Sequence, residues 1–292
     1  MTASSQQLSL NRGKWTDLAT QRWVRLTGRR VSLDDTPWLD GPVGDVEGIG
    51  LDFFHRLAAR EGLEIDSSAE PRGLLDSFSL LAGPHFDPSS VHPDVAAFYE
   101  NTAAFDLDVW SKWSGAFRPF GSVLAAIFSR RLQQLNVPLS PLDTSMGISS
   151  SVLKFRDSDG NTRYTAWVRE LLSSHNTLYA GAYSLASVPG FDGPCIRVVF
   201  PLPNGSAIII MRPTAEPDGS FAVHSVGKRF GDPGFYFFVQ DRDGKGWARY
   251  VSSLKETIRV FPTSDGDVRA DHILHFWGAQ FLKLHYRMRS RT

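Results

Sequence analysis

The stretch that decides the fold is CIRVVFPLPNGSAIIIMR, residues 195–212. Cys195 to Phe200 and Ser206 to Arg212 are short runs rich in Val and Ile. Between them stands Asn204-Gly205, a pair that readily adopts the left-handed backbone of a tight hairpin. The two runs are expected to be neighbouring antiparallel strands, because a parallel crossover takes a dozen or more residues and this spacer is far shorter.

The same grammar extends outward on both sides. Strands are expected at Ser151 to Arg156, Arg163 to Leu171, Leu178 to Ser187, Ser220 to Val226, Phe235 to Gln240, Trp247 to Val251, Lys255 to Phe261, Val268 to Trp277 and Phe281 to Met288. Turn signals stand at Asp159-Gly160, Asp192-Gly193, Asp218-Gly219, Asp243-Gly244 and Asp265-Gly266. About ten short strands joined this way read as an antiparallel meander, and closure into an up-and-down β-barrel of the calycin or lipocalin type would hide the sheet edges. An open or split sandwich is the alternative.

Residues 1–143 read differently. Short helices are expected near Trp15 to Leu26 and Gly50 to Glu61, with Pro93 opening another through Phe98 and Tyr99. Phe120 to Leu135 carries apolar residues at three- and four-residue spacing. The prolines of Asn136 to Asp143 end that helix and mark a junction. The expected organisation is a helical arm over 1–143 packed on a barrel over 144–292. The arm holds 13 basic and 18 acidic residues and the remainder 18 and 13, so the two parts attract mildly.

Composition narrows the function classes. Lys plus Arg and Asp plus Glu are both 31, so no global field gathers nucleic acid or an anionic membrane. The single Cys195 excludes an intrachain disulfide framework and a multi-thiolate zinc site. With no signal-peptide core at the N-terminus and no apolar run long enough to span a bilayer, the expectation is a cytoplasmic protein without membrane insertion. The familiar nucleotide, zinc-protease and serine-hydrolase motifs do not occur, and no cofactor is expected.

The candidate chemistry comes from sorting strand residues by face. Glu256 shares a side with Ile258 and Val260. His272 shares one with Ala270 and Leu274, Glu170 falls in line with Tyr164, Ala166 and Val168, and Arg249 stands between Trp247 and Val251. Glu256, His272 and Glu170 are expected to point inward as candidate acid or base groups, whereas Lys255, Arg269 and His285 point out. The competing reading is an inner ion-pair network joining the glutamates to Arg249 or Arg259. Arg249, Tyr164, Tyr250, Phe276 and Tyr286 are the candidate ligand contacts. His272 and His275 are a poor metal pair, Cys195 reads as a small buried hydrophobe, and His224 as a satisfied core histidine.

Arg131-Leu132-Gln133-Gln134-Leu135-Asn136-Val137-Pro138-Leu139, Tyr164-Thr165-Ala166-Trp167-Val168-Arg169 and Trp247-Ala248-Arg249-Tyr250 resemble parts of uncharacterised bacterial proteins of the YndJ-type group. The resemblance covers roughly residues 85–288. It implies a bacterial origin and brings no established active site, so no residue role is carried over. The first functional expectation is a barrel that binds a hydrophobic or amphipathic small molecule in an aromatic-lined cavity. The second is a cofactor-independent cyclase, isomerase or hydro-lyase in the same cavity.

Overall fold

The computed structural model describes residues 15–44, 51–66, 72–114, 148–171, 177–241 and 245–291. Three α-helices lie within them: α1 (Trp15–Thr27), α2 (Leu51–Glu61) and α3 (Pro93–Glu100). The strands are β1 (Arg29–Val31), β2 (Glu64–Asp66), β3 (Phe105–Trp113), β4 (Ile148–Arg156), β5 (Thr162–Leu171), β6 (Thr177–Val188), β7 (Phe191–Leu202), β8 (Gly205–Ala215), β9 (Phe221–His224), β10 (Gly234–Gln240), β11 (Gly246–Tyr250), β12 (Leu254–Pro262), β13 (Val268–Phe276) and β14 (Ala279–Ser290). The expected Phe120 to Leu135 helix, the Asn136 to Asp143 junction and the Asp243-Gly244 turn lie outside the described residues.

The hairpin that opened the sequence reading forms as β7 and β8. Asn204 takes a φ of 57°, and Leu202 pairs with Gly205. Asp159-Gly160, Asp218-Gly219 and Asp265-Gly266 are also turns, each glycine having a positive φ. Asp192-Gly193 is not, because both residues lie inside β7, and the chain reverses at Pro189-Gly190 instead. A further reversal at Trp277-Gly278, with φ values of 49° and 83°, joins β13 to β14.

The helices at the N-terminal side fall where expected. Pro93 occupies the first turn of α3, and the Asp94 amide donates to His92 Nδ1 at 3.3 Å, filling one of the donors a helix start leaves open. The region before residue 114 is not only helix and loop, however. β3 reads Phe-Asp-Leu-Asp-Val-Trp-Ser-Lys-Trp and pairs along its length with β14.

The sheet does not close into a barrel. Its order runs β2-β4-β5-β6-β7-β8-β9-β12-β13-β14-β3, with β10 also on β8, β11 on β10 and β1 on β11. The fork at β8 is the physical reason. Residues 205–210 of β8 lie between β7 and β10, whereas residues 212–215 pair with β9. One long strand therefore feeds two wings, and the path ends at β2 on one side and β3 on the other. All the ladders are antiparallel, as the short turns require.

Two cores follow. The inner core lies between the wings and includes Trp167, Ile196, Val198, Phe200, Met211, Val260, Ala270 and Met288. The outer core lies on the opposite face of the β4 to β8 wing. There Phe155, Tyr164, Ala166, Val168 and Ile208 are covered by Trp38, Leu39, Phe53, Phe54 and Leu57 from the N-terminal segment.

Candidate functional site

The inner faces of the two wings do not fill the space between them. They leave a cavity of about 260 Å³. One wall is built by Trp167, Arg169, Tyr179, Tyr183, Ile196, Val198, Phe200, Ala207, Ile209 and Met211, and the other by Glu256, Ile258, Val260, Ala270, His272, Leu274, Leu284, Tyr286 and Met288. Phe98 and Tyr99 of α3, with Leu107 and Trp113 of β3, line it as well.

Strand register explains why the polar groups gather. Glu256 pairs with Leu274 and His272 with Ile258, so Glu256 and His272 are diagonal neighbours on one face. The His272 Nε2 and Glu256 Oε2 atoms are 2.9 Å apart. Because the carboxylate accepts, His272 carries its proton on Nε2, and in the neutral ring Nδ1 is left as the acceptor. The Glu256 backbone is fixed too: its amide donates to Ser225 Oγ at 2.9 Å, and its carbonyl accepts from the Ser225 amide at 3.0 Å.

Across the cavity, Arg169 pairs with Tyr179 in the β5–β6 ladder, and Trp167 with Gly181. A side chain at position 181 would come within 2.8 Å of the Tyr179 hydroxyl, so glycine there makes room for that ring. The Tyr179 and Tyr183 hydroxyls are 2.6 Å apart. Arg169 lies over the rings of Trp167 and Tyr286, at 5.5 and 5.8 Å from their centres. Its Nε and Nη2 atoms are buried with no hydrogen-bond partner.

Burial sets the protonation states. It raises the Tyr179 and Tyr183 hydroxyls well above their ordinary value. It pushes Tyr286 up to about 12, with Arg169 pulling down and Glu256 pushing up. These phenols are neutral donors at physiological pH. Burial also lowers Arg169, against the nearby tyrosine oxygens, yet a guanidinium keeps its proton throughout that range.

Of the residues singled out from sequence, Glu256, His272 and Tyr286 line this cavity together. Glu170 does not. It was placed with Tyr164, Ala166 and Val168, and that face of β5 points into the outer core. Tyr164 is packed there on Phe155, its hydroxyl 3.3 Å from Glu61 Oε2. Tyr250 meets Tyr236 edge-on in the same core. Arg249 reaches away from the cavity, donating to the Thr27 carbonyl at the end of α1 and lying over Trp23. No glutamate pairs with it among the described residues, and Arg259 pairs with Asp218, so the inner ion-pair network is not formed. Phe276 packs near Phe281 and Leu282 beside the β13–β14 turn and is not in the lining. Lys255 is exposed, and Arg269 and His285 make ion pairs with Asp265 and Asp271.

Arg169, Tyr179 and Tyr183 were missed as a group. Cys195 is buried in the outer core, where burial pushes its thiol up to about 12. His224 lies between Thr214 Oγ1 at 2.9 Å and Thr257 Oγ1 at 3.1 Å, and burial lowers its pKa. Among the described residues no group of three or more His, Cys, Asp or Glu is placed to hold a metal ion.

The chain is similar to a protein of Bacillus subtilis (strain 168) named "Uncharacterized membrane protein YndJ". The two are 28% identical over 239 residues, which is 82% of this chain and 41% of that relative. The chain thus spans less than half the length of the relative it matches. No family model matches, and no solved structure does. The relative's name points to a membrane location and overturns the cytoplasmic expectation. Among the described residues no helix is long and apolar enough to cross a membrane.

Proposed function

We propose that the cavity between the two wings binds a hydrophobic or amphipathic small molecule. The observation that carries this reading is the lining: a space of about 260 Å³ walled by aliphatic and aromatic side chains, with its few polar groups gathered together. Ligand sites combine an apolar wall with a small number of placed polar groups, and this volume lies just below their usual range of about 300–1,000 Å³. A lipophilic ligand also accords with a relative that is named a membrane protein. The test is mass spectrometry of small molecules extracted from the purified protein, beside the Ala270→Phe variant. A ring at position 270 projects into the cavity. Recovery of a discrete hydrophobic or amphipathic compound from the wild type and its loss from the variant is the expected result. Equal recovery from both would place binding elsewhere.

A second reading has one specific observation in its favour, the 2.9 Å contact between Glu256 and His272 inside the same cavity. A carboxylate held against an imidazole in a largely apolar space is a competent proton-transfer pair, of use to an isomerase, cyclase or hydro-lyase without a cofactor. Under this reading Glu256→Gln lowers turnover of the extracted compound by about 100-fold with binding little changed.

A further inference from the structure

We infer that the ligand of this cavity carries an oxyanion head group, a carboxylate or a phosphate, that seats on Arg169 with its apolar body along the aliphatic wall. The inference rests on the small-molecule reading above and names the class of ligand.

A buried cation is costly. Arg169 is only 5% exposed. Its planar fork presents five N–H donors, and a buried guanidinium whose donors go unmet is strongly disfavoured unless something completes it. Among the described residues it has no salt-bridge partner, and its Nε and Nη2 atoms have no hydrogen bond. Among the described residues it is flanked by the rings of Trp167 and Tyr286 and, across the ladders on either side, by Tyr179 and Ser150, whose hydroxyl accepts from Trp167 Nε1 at 2.9 Å. Aromatic faces tolerate a cation, but they do not satisfy in-plane N–H groups.

The neighbouring strand provides an internal comparison. Lys154 of β4 is 7% exposed and is answered by Asp76, whose Oδ1 lies 2.6 Å from Nζ. The same wing therefore pairs one buried cation within the chain and leaves the other facing the cavity. Glu256 lines the same cavity, but no salt bridge joins it to Arg169 among the described residues; its charged contact is His272.

The geometry of the missing partner follows from the donors. Nε and one terminal nitrogen of a guanidinium lie side by side and donate together to a two-oxygen group, which is the shape of a carboxylate or phosphate. One proton of the Tyr179–Tyr183 hydroxyl pair is spent between the two oxygens, and the other, with that of Tyr286, adds a donor suited to an anion. Apart from Glu256 and His272, the rest of the lining is aliphatic and aromatic, so the remainder of the ligand is apolar.

The experiment is calorimetric titration of protein stripped of lipophilic material, using decanoate, decyl phosphate and decan-1-ol as probes. Each has the same chain, so only the head differs. For the wild type we expect decanoate or decyl phosphate to bind at least about 10-fold tighter than the alcohol, the ordinary effect of a charge-assisted pair. The tighter of the two identifies the head. Arg169→Met should abolish that preference while leaving alcohol binding within about 3-fold, and Arg169→Lys should retain part of it. If the alcohol binds the wild type as well as either anion does, or if Arg169→Met weakens all three probes equally, the oxyanion assignment fails and the cavity reading stands. If none of the probes binds and none shifts the melting temperature, the cavity reading fails with it. Melting of each variant without ligand identifies any that has not folded, and Arg169→Lys then carries the comparison.

Discussion

The two walls of the cavity are built from the same kind of strand yet differ on the side turned away from it. Behind β4 to β8 the outer face is apolar and covered by α2 and the segment around Trp38 and Leu39. Behind β12 to β14 the outer face is polar: Asp271 pairs with Lys283 and His285, Arg287 with Asp267, and Arg289 with Asp108. One wall is buried on both sides and the other on one. A doubly covered sheet fixes its strands by packing, whereas a singly covered sheet carries a solvated lattice of charges whose individual pairs are worth little.

The largest effect expected from this contrast lies in the outer core. Phe54 is fully buried and meets Phe53 and Phe155 at ring distances of 5.3 and 6.0 Å. Phe54→Ala should lower stability to urea by about 3–5 kcal/mol. Ile209→Ala on the cavity side should cost about 2 kcal/mol, because that side chain already borders open space. Equal losses would mean that the inner face is as tightly packed as the outer.

Next in size is the buried cation that the wing does pair. Asp76→Asn leaves Lys154 without its carboxylate, but Asp76 is 42% exposed and water can approach the site. A loss of about 1–2 kcal/mol is expected, well short of a fully buried pair. Arg169→Met should act in the opposite sense and raise the stability of ligand-free protein by about 1 kcal/mol, since it removes a buried charge with unmet donors. Urea midpoints of the two variants measure both, and a stabilised Asp76→Asn or a destabilised Arg169→Met would erase the difference between the two cations.

The same contrast explains how much of the site was legible. On the singly covered wall, alternation is clean: Lys255 and Glu256, and Asp271 and His272, separate charged outer positions from inner ones, so Glu256 and His272 were placed on the cavity face from sequence. On the doubly covered wall both faces of Tyr164-Thr165-Ala166-Trp167-Val168-Arg169 look interior. Period two then gives no sign of which face is which, and the choice that put Glu170 inside left Arg169 unconsidered. The available signal was Arg169 itself, a charge in line with Thr165 and Trp167 in the middle of the chain's own interior pattern. Likewise β3 alternates apolar and acidic residues from Phe105 to Val109, obscured in the sequence by the helix before it and the helix expected after it. The fork at β8 had no local signature, because a strand that changes partner midway is written in long-range pairing alone.

The smallest effect lies on the solvated face, at Asp271, back to back with His272 on β13. Burial tends to raise its carboxyl, but hydrogen bonds from His285 and Lys283 outweigh that and hold it below its ordinary value of 3.8. A group lowered in the folded state binds its proton more readily when unfolded, so its contribution is present in full above about pH 4. The contribution declines as pH falls through the folded value. Because the pair is partly solvated, the effect should be under about 1 kcal/mol. Urea midpoints from pH 6 to 3 should show the wild type losing slightly more stability than Asp271→Asn, and added salt should narrow the gap. A gap that widens with salt, or an Asn variant more acid-sensitive than the wild type, would mean that the outer face of this wing is held by something other than its charges.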